Sequence, residues 1–163
     1  MKRYRVRPGA RVRLGDWDPR DTGKHIDETA ARATLARDID RLAKLQDVLY
    51  AEHRRAVLVV LQGMDTAGKD GTIEHVMSGV NPSGCEVVSF KVPTDEEAAH
   101  DFLWRAHKAA PRRGHITIFN RSHYEDVIVP RVHRTLPRSV VKARYEQINA
   151  FERHLVENDT VIL

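Results

Sequence analysis

A single cysteine, Cys85, excludes an intramolecular disulfide and any cysteine-based zinc cluster, which agrees with a reducing compartment. No apolar run approaches the length of a membrane span, and no signal-peptide core stands near the N-terminus, so the chain reads as cytoplasmic with no membrane partner. The nine histidines include no HExxH, which removes support for a zinc hydrolase. His123-Tyr124-Glu125 has the H-x-E spacing of zinc deaminases, but the P-C-x-x-C that must accompany it is absent. There is no internal repeat or low-complexity segment. The 163 residues suit one domain with a real core, and 31% charged with 41% hydrophobic residues is ordinary for a folded soluble chain. A net charge of +4 and a pI near 9.4 favour an acidic partner, for which nucleic acid, nucleotides and inorganic polyanions all qualify.

The most informative stretch is Gly63-Met64-Asp65-Thr66-Ala67-Gly68-Lys69-Asp70-Gly71, which follows the apolar run Val57 to Leu61 and opens a helix-like segment. It reads as a phosphate-binding loop. Glycines let the backbone N–H groups converge on an anion, the following helix adds its positive end, and Lys69 adds a mobile charge. Asp70 stands where such loops usually place a Ser or Thr that helps hold magnesium. Either the match is fortuitous, or carboxylates including Asp65 take over the metal.

Residues 1 to 25 form a basic start, with Lys2, Arg3, Arg5, Arg7, Arg11 and Arg13, then a turn-rich stretch with Asp16, Asp18 and Asp21. A solvated arm is favoured there over a polyanion grip or a targeting peptide. From about Ile26 to His53, Leu35, Ile39, Leu42, Leu45 and Leu49 recur at helical steps. Ala56 to Leu61 is a strand of the doubly buried kind, followed by the loop and a short helix ending near Gly79. Cys85 to Val92 is a second strand. Thr94 and Glu97 have capping-box spacing for a helix to about Ala109, and His115 to Phe119 is a third strand. After Pro137 the positions Val141, Tyr145, Ile148, Phe151 and Leu155 give another long helix, and Thr160 to Leu163 a fourth strand.

Alternating strands and helices imply a parallel α/β sheet, whose ligands sit beyond the carboxyl ends of the strands. Asn120-Arg121-Ser122-His123-Tyr124-Glu125-Asp126 lies at such an end, as the glycine loop does. Glu125 and Asp126 are candidate oxygen ligands for magnesium, and Arg121 can meet a phosphoryl group with a planar fork of donors. A surface ion-pair network of the same three residues is the structural alternative. His100, His107, His115 and His133 are read as structural or surface residues, with substrate contact by His107 or His133 as the lesser alternative.

Five blocks in one order, residues 63–71, Met77 to Pro82, Phe90 to Thr94, His100 to Arg105 and Phe119 to Val127, resemble the polyphosphate kinase 2 family over nearly the whole chain. The resemblance implies a P-loop kinase-like parallel sheet flanked by helices in a three-layer sandwich, with a basic arm over 1–25 and a phosphotransferase domain over 26–163. It implies transfer of a phosphoryl group between inorganic polyphosphate and a nucleotide, with magnesium as cofactor. Carried over residue by residue, Asp65, Lys69, Arg121, Glu125 and Asp126 would be catalytic, and Asp65 and Asp126 would hold the metal. Gly63, Met64, Thr66, Ala67, Gly68, Asp70, Gly71, Lys91, Asn120 and Arg131 would contact phosphate or nucleotide. Asn120 and Glu125 match the class III version, which accepts nucleoside mono- and diphosphates. Expected partners are polyphosphate, adenine or other nucleotides and a second copy of the chain, but not nucleic acid. Family members are longer, so the resemblance also predicts a truncated chain lacking the last of the sheet and a lid, with correspondingly weak activity. An ATP-dependent small-molecule kinase and a non-catalytic polyanion-binding protein stand as alternatives.

Overall fold

The structure, a computed structural model, describes residues 4–23 and 27–163. Lys2, Arg3 and the expected helix start at Ile26 lie outside these residues. The chain divides into two compact units, Met1–Ala36 and Arg37–Leu163. In the first, Tyr4 donates to the Asp21 carbonyl at 3.2 Å, and the Asp21 carboxylate accepts the Gly23 amide at 2.8 Å. Arg5, Arg7, Arg11 and Arg13 are exposed there. No helix among the described residues is long and apolar enough to cross a membrane.

Helix α1 (Glu28–Glu52) is followed by β1 (Ala56–Leu61), α2 (Lys69–Val76), β2 (Cys85–Ser89), α3 (Asp95–Ala98), α4 (Trp104–Lys108), β3 (Ile116–Asn120), α5 (Glu125–His133), α6 (Arg138–Glu157) and β4 (Thr160–Ile162). The strands are all parallel in the order β2-β3-β1-β4. Strand β3 is buried on both faces, with Ile116, Thr117, Ile118 and Phe119 all withdrawn from solvent, as the apolar composition of a central parallel strand requires. Leu58 and Phe119 pack with Phe90, with Leu103 and Ala106 around α4, with Val127 of α5 and with Val141, Ile148, Phe151 and Leu155 of α6. The helical stripe read from α6 is thus its buried face.

The structure differs from expectation at two boundaries and on one helix face. Strand β2 ends at Ser89: Phe90 turns into the core, and its amide still reaches the Asn120 carbonyl at 3.1 Å. The helix expected from Thr94 to Ala109 is two short ones. Its capping box is present, but the Asp101 carboxylate accepts the Leu103 amide at 3.0 Å and starts a second turn where the first would have continued. On α1, Leu35 and Leu45 are exposed, and the buried position is Gln46. The Gln46 side chain packs directly on Gly84, where a Cβ would collide with it and touch Tyr50.

Candidate active site

Strand β1 hands the chain to the loop 62–68, and α2 begins at Lys69. Two residues of that loop take positive φ, Thr66 at 63° and Gly68 at 84°, which folds the backbone back on itself. Glycine adopts that conformation without the Cβ penalty that Thr66 bears. The Ala67 amide closes the turn on the Met64 carbonyl at 3.2 Å, and so is already engaged. The Lys69 ammonium spans the loop, donating to the carbonyls of Gly63 at 3.0 Å and Met64 at 2.7 Å. Asp70, in the first turn of α2, accepts from the Asn120 carboxamide at 2.5 Å. The position that departs from the usual loop is therefore tied to the end of β3.

Because β1 and β3 are neighbours, with Leu61 opposite Asn120, the second polar cluster arrives beside the first. The Arg121 amide adds one more rung by donating to the Leu61 carbonyl at 3.0 Å. Arg121 then adopts φ 57°, and its guanidinium pairs with the Asp65 carboxylate. Asp65, Thr66, Lys69, Asp70, Lys91, Asn120 and Arg121 line one cleft of about 530 Å³. A second, of about 520 Å³, shares Asp65 and Arg121 and is bounded by Gln62, Met64, Glu125 and the α5 face that carries Ile128, Val129 and Val132.

Gln62 carries no motif signature, yet it connects the two stretches. It donates to the Glu125 carboxylate at 2.6 Å and accepts from the buried Ser122 hydroxyl at 2.9 Å. The only hint in the sequence is its place between an apolar strand and the first glycine of the loop.

Asp126 does not line either cleft. Its carboxylate accepts from Arg105 at 2.9 Å, with side-chain exposures of 17% and 8% respectively. Arg105 also donates to the Lys91 carbonyl at 2.8 Å, lies 3.8 Å from Glu97 and sits over the Phe90 ring. In this pair Asp126 offsets the desolvation of a guanidinium in an apolar setting, and it is not brought into the cleft that Asp65 lines. Pro130 accounts for a further contact. It has no N–H to give the Asp126 carbonyl one turn earlier, and Arg144 donates to that carbonyl instead at 2.7 Å. Arg131 lines neither cleft but faces a third cavity at the far end of α5.

Beneath the cluster, His123 is fully buried with its ring nitrogen Nε2 at 3.2 Å from the Glu152 carboxylate of α6, and Tyr124 donates to the same oxygen at 2.7 Å. Burial pushes the Tyr124 hydroxyl pKa well above its ordinary value, and the Glu152 hydrogen bond adds to the rise. For Glu152 burial acts against the charge, but the hydrogen bonds from His123 and Tyr124 outweigh it and hold the carboxyl below its usual value. A carboxylate lowered on folding stabilises the fold above its unfolded pKa and loses that contribution as pH falls through the folded one. Glu152→Gln is therefore expected to reduce stability at pH 7, with the difference from wild type shrinking as pH falls below about 4.5, followed by urea unfolding at several pH values. A difference independent of pH would remove the charge from the account.

Among the described residues no three His, Cys, Asp or Glu side chains gather as a metal cage. The phosphate cleft instead offers the carboxylates of Asp65, 80% exposed, and Asp70. Oxygen donors of that number, with no nitrogen or sulfur ligand beside them, suit a hard cation that keeps waters and takes its remaining ligands from phosphate.

The sequence model of the family described as Polyphosphate kinase 2 (PPK2) matches residues 25–163. The AMP/ADP-polyphosphate phosphotransferase of Meiothermus ruber is 53% identical over 164 residues, an alignment covering 100% of this chain and 61% of the relative. The ADP-polyphosphate phosphotransferase of Rhodopseudomonas palustris is 42% identical, covering 99% of this chain and 60% of the relative. Among solved structures, the polyphosphate kinase 2 of Arthrobacter aurescens TC1 superposes with a TM-score of 0.90 at 42% identity, over 97% of this chain and 57% of that one. The chain thus spans about 60% of the length of the curated relatives it matches.

Proposed function

This chain belongs to the polyphosphate kinase 2 family, and from that premise we propose that it transfers a phosphoryl group between inorganic polyphosphate and a nucleoside mono- or diphosphate, taking AMP and ADP to ADP and ATP. The observation that carries the reading is the single cleft in which Asp65, Lys69, Asp70, Lys91 and Arg121 meet. In the forward direction, a terminal phosphate oxygen of the nucleotide attacks the terminal phosphorus of polyphosphate. The bridging P–O bond breaks, and its electron pair leaves with a polyphosphate one unit shorter.

That nucleophile is already anionic near neutral pH, so the protein's task is alignment and charge neutralisation rather than general-base catalysis. Lys69 is within reach of the loop carbonyls and can transfer its hydrogen bonds to phosphate oxygens. Arg121 contributes the planar fork that matches a phosphoryl group, and Lys91 adds a third positive charge at the cleft wall. Glu125, oriented by Gln62, bounds the neighbouring cleft and is placed to sense the accepting nucleotide. Asp65 and Asp70 would hold a magnesium ion, which when bound supplies charge neutralisation at the phosphate oxygens. The Arg105 pair puts Asp126 in a supporting role, fixing the first turn of α5 from which Glu125 projects. We place the reaction in the cytoplasm. The exposed Leu45 and Val48 of α1 are among the apolar positions that a second copy could cover in a homo-oligomer.

The test is formation of ADP and ATP from AMP and long-chain polyphosphate with magnesium, comparing the 163-residue chain with Lys69→Ala. Turnover in the wild type that disappears in the variant is the expected result. Turnover that survives the substitution, or is absent from the wild type, rejects the assignment.

A further inference from the structure

Helix α1 turns one face to the domain and the other to solvent. On the inner face Gln46 packs on Gly84 just before β2, the Tyr50 ring meets His115 just before β3, and Ile39 lies where a Cβ on Gly79 would collide with it. On the side away from Gln46, Asp38, Arg41, Leu45, Val48 and Glu52 are all exposed, Leu45 at 57% and Val48 at 62%. Steps of three, four, three and four residues keep the five on a single stripe of the helix, the spacing of a helix–helix seam. Arg32 on the same helix pairs with Glu28, whereas Asp38, Arg41 and Glu52 form no ion pair among the described residues.

The order of charges along the stripe decides what covers it. The point midway between Leu45 and Val48 is also midway between Arg41 and Glu52. Reversing the stripe about that point therefore sets leucine against valine and arginine against glutamate. A parallel, in-register pair would instead set Arg41 against Arg41 and Glu52 against Glu52, which like-charge repulsion disfavours. We infer that this face of α1 packs antiparallel on the same face of a second copy about a two-fold axis, Leu45 against the partner's Val48 and Arg41 against the partner's Glu52. Each contact then occurs twice, as an isologous interface requires. The inference gives a register to the homo-oligomer named above and rests on that reading, but makes no use of the reaction. Gln46 and Tyr50 lie against the residues that precede β2 and β3, so the seam near them is at the opposite end of the strands from the glycine loop. A single helix pair is a small interface, so association is expected in the micromolar range or weaker.

The test is analytical ultracentrifugation of the 163-residue chain at low salt over a range of concentration, comparing wild type with Leu45→Glu, Arg41→Glu, Glu52→Arg and the double variant Arg41→Glu/Glu52→Arg. All of these replacements are good helix formers at exposed positions, and thermal unfolding at a concentration where the chain is monomeric checks that each variant is folded. Leu45→Glu should abolish the dimer, and each single charge reversal should weaken it by about tenfold or more, because like charges then meet at both ends of the seam. The double variant should return to within about threefold of wild type. Positions 41 and 52 are about 16 Å apart along one helix at 1.5 Å per residue, too far to pair within a chain, so that recovery reports contact between copies. A wild type that stays monomeric up to about 1 mM would overturn both the seam and the homo-oligomer reading. A dimer that survives Leu45→Glu, or a folded double variant no better than the single reversals, would overturn the seam and leave the oligomer to another surface.

Discussion

Arg105→Met is expected to destabilise the protein by about 3 kcal/mol, the lower end of the range for removing one member of a buried ion pair. The wild-type guanidinium is almost fully enclosed, donates hydrogen bonds to the Lys91 carbonyl and the Asp126 carboxylate, and has Glu97 as a longer ion-pair partner. Methionine fills much of the volume but leaves the half-buried Asp126 carboxylate without its partner. Adding Asp126→Leu to the same background should recover part of the loss, because an apolar pair of similar size avoids both desolvation costs. Urea unfolding of the two single variants and the double variant measures the coupling. A cost under about 1 kcal/mol for Arg105→Met would mean that the loop at Lys91 and the start of α5 hold their positions without it.

Arg121→Ala should do the opposite, sparing stability while lowering turnover by about two to three orders of magnitude, the usual cost of losing one preorganised electrostatic group. Its partner Asp65 is largely exposed, so their ion pair contributes about 0–1 kcal/mol to the fold. Arg121→Lys should restore little of the rate, since an ammonium has no planar pair of donors to present to a phosphoryl group. Steady-state kinetics with AMP and polyphosphate, alongside thermal unfolding, separates the two effects. Rates within tenfold of wild type for Arg121→Ala would remove this residue from the reaction.

The parts of this architecture that depend on local chemistry could be read directly from the sequence. The glycine loop after an apolar strand, the Thr94–Glu97 capping box and the buried stripe of α6 are each set by residues close together in the chain. What escaped the reading depends on partners far away. Nothing near Arg105 indicates that it meets Asp126 across the fold, and Gln62 acquires its role only once Ser122 and Glu125 stand beside it. The Asp126–Arg105 pair was illegible for the same reason: a carboxylate next to a strand end looks the same in sequence whatever partner the fold brings to it. Helix α5 was hidden by Pro130, a residue that argues against helix until Arg144 is seen to take over the missing hydrogen bond.

The pairing of β1 with β3 has a kinetic consequence. Val57 lies opposite Ile116, a separation of 59 residues (116 − 57), and no shorter connection brings the glycine loop to Arg121. Long-range parallel pairing must meet its loop-closure entropy before it gains its hydrogen bonds and burial, so it forms slowly and cooperatively. A partly folded chain can contain the glycine loop or the Arg121 turn, but the phosphate cleft comes into existence only with the central sheet. Any polyanion that bridges the two is therefore a ligand of the completed fold alone, and at free concentrations above its dissociation constant it stabilises that sheet against unfolding.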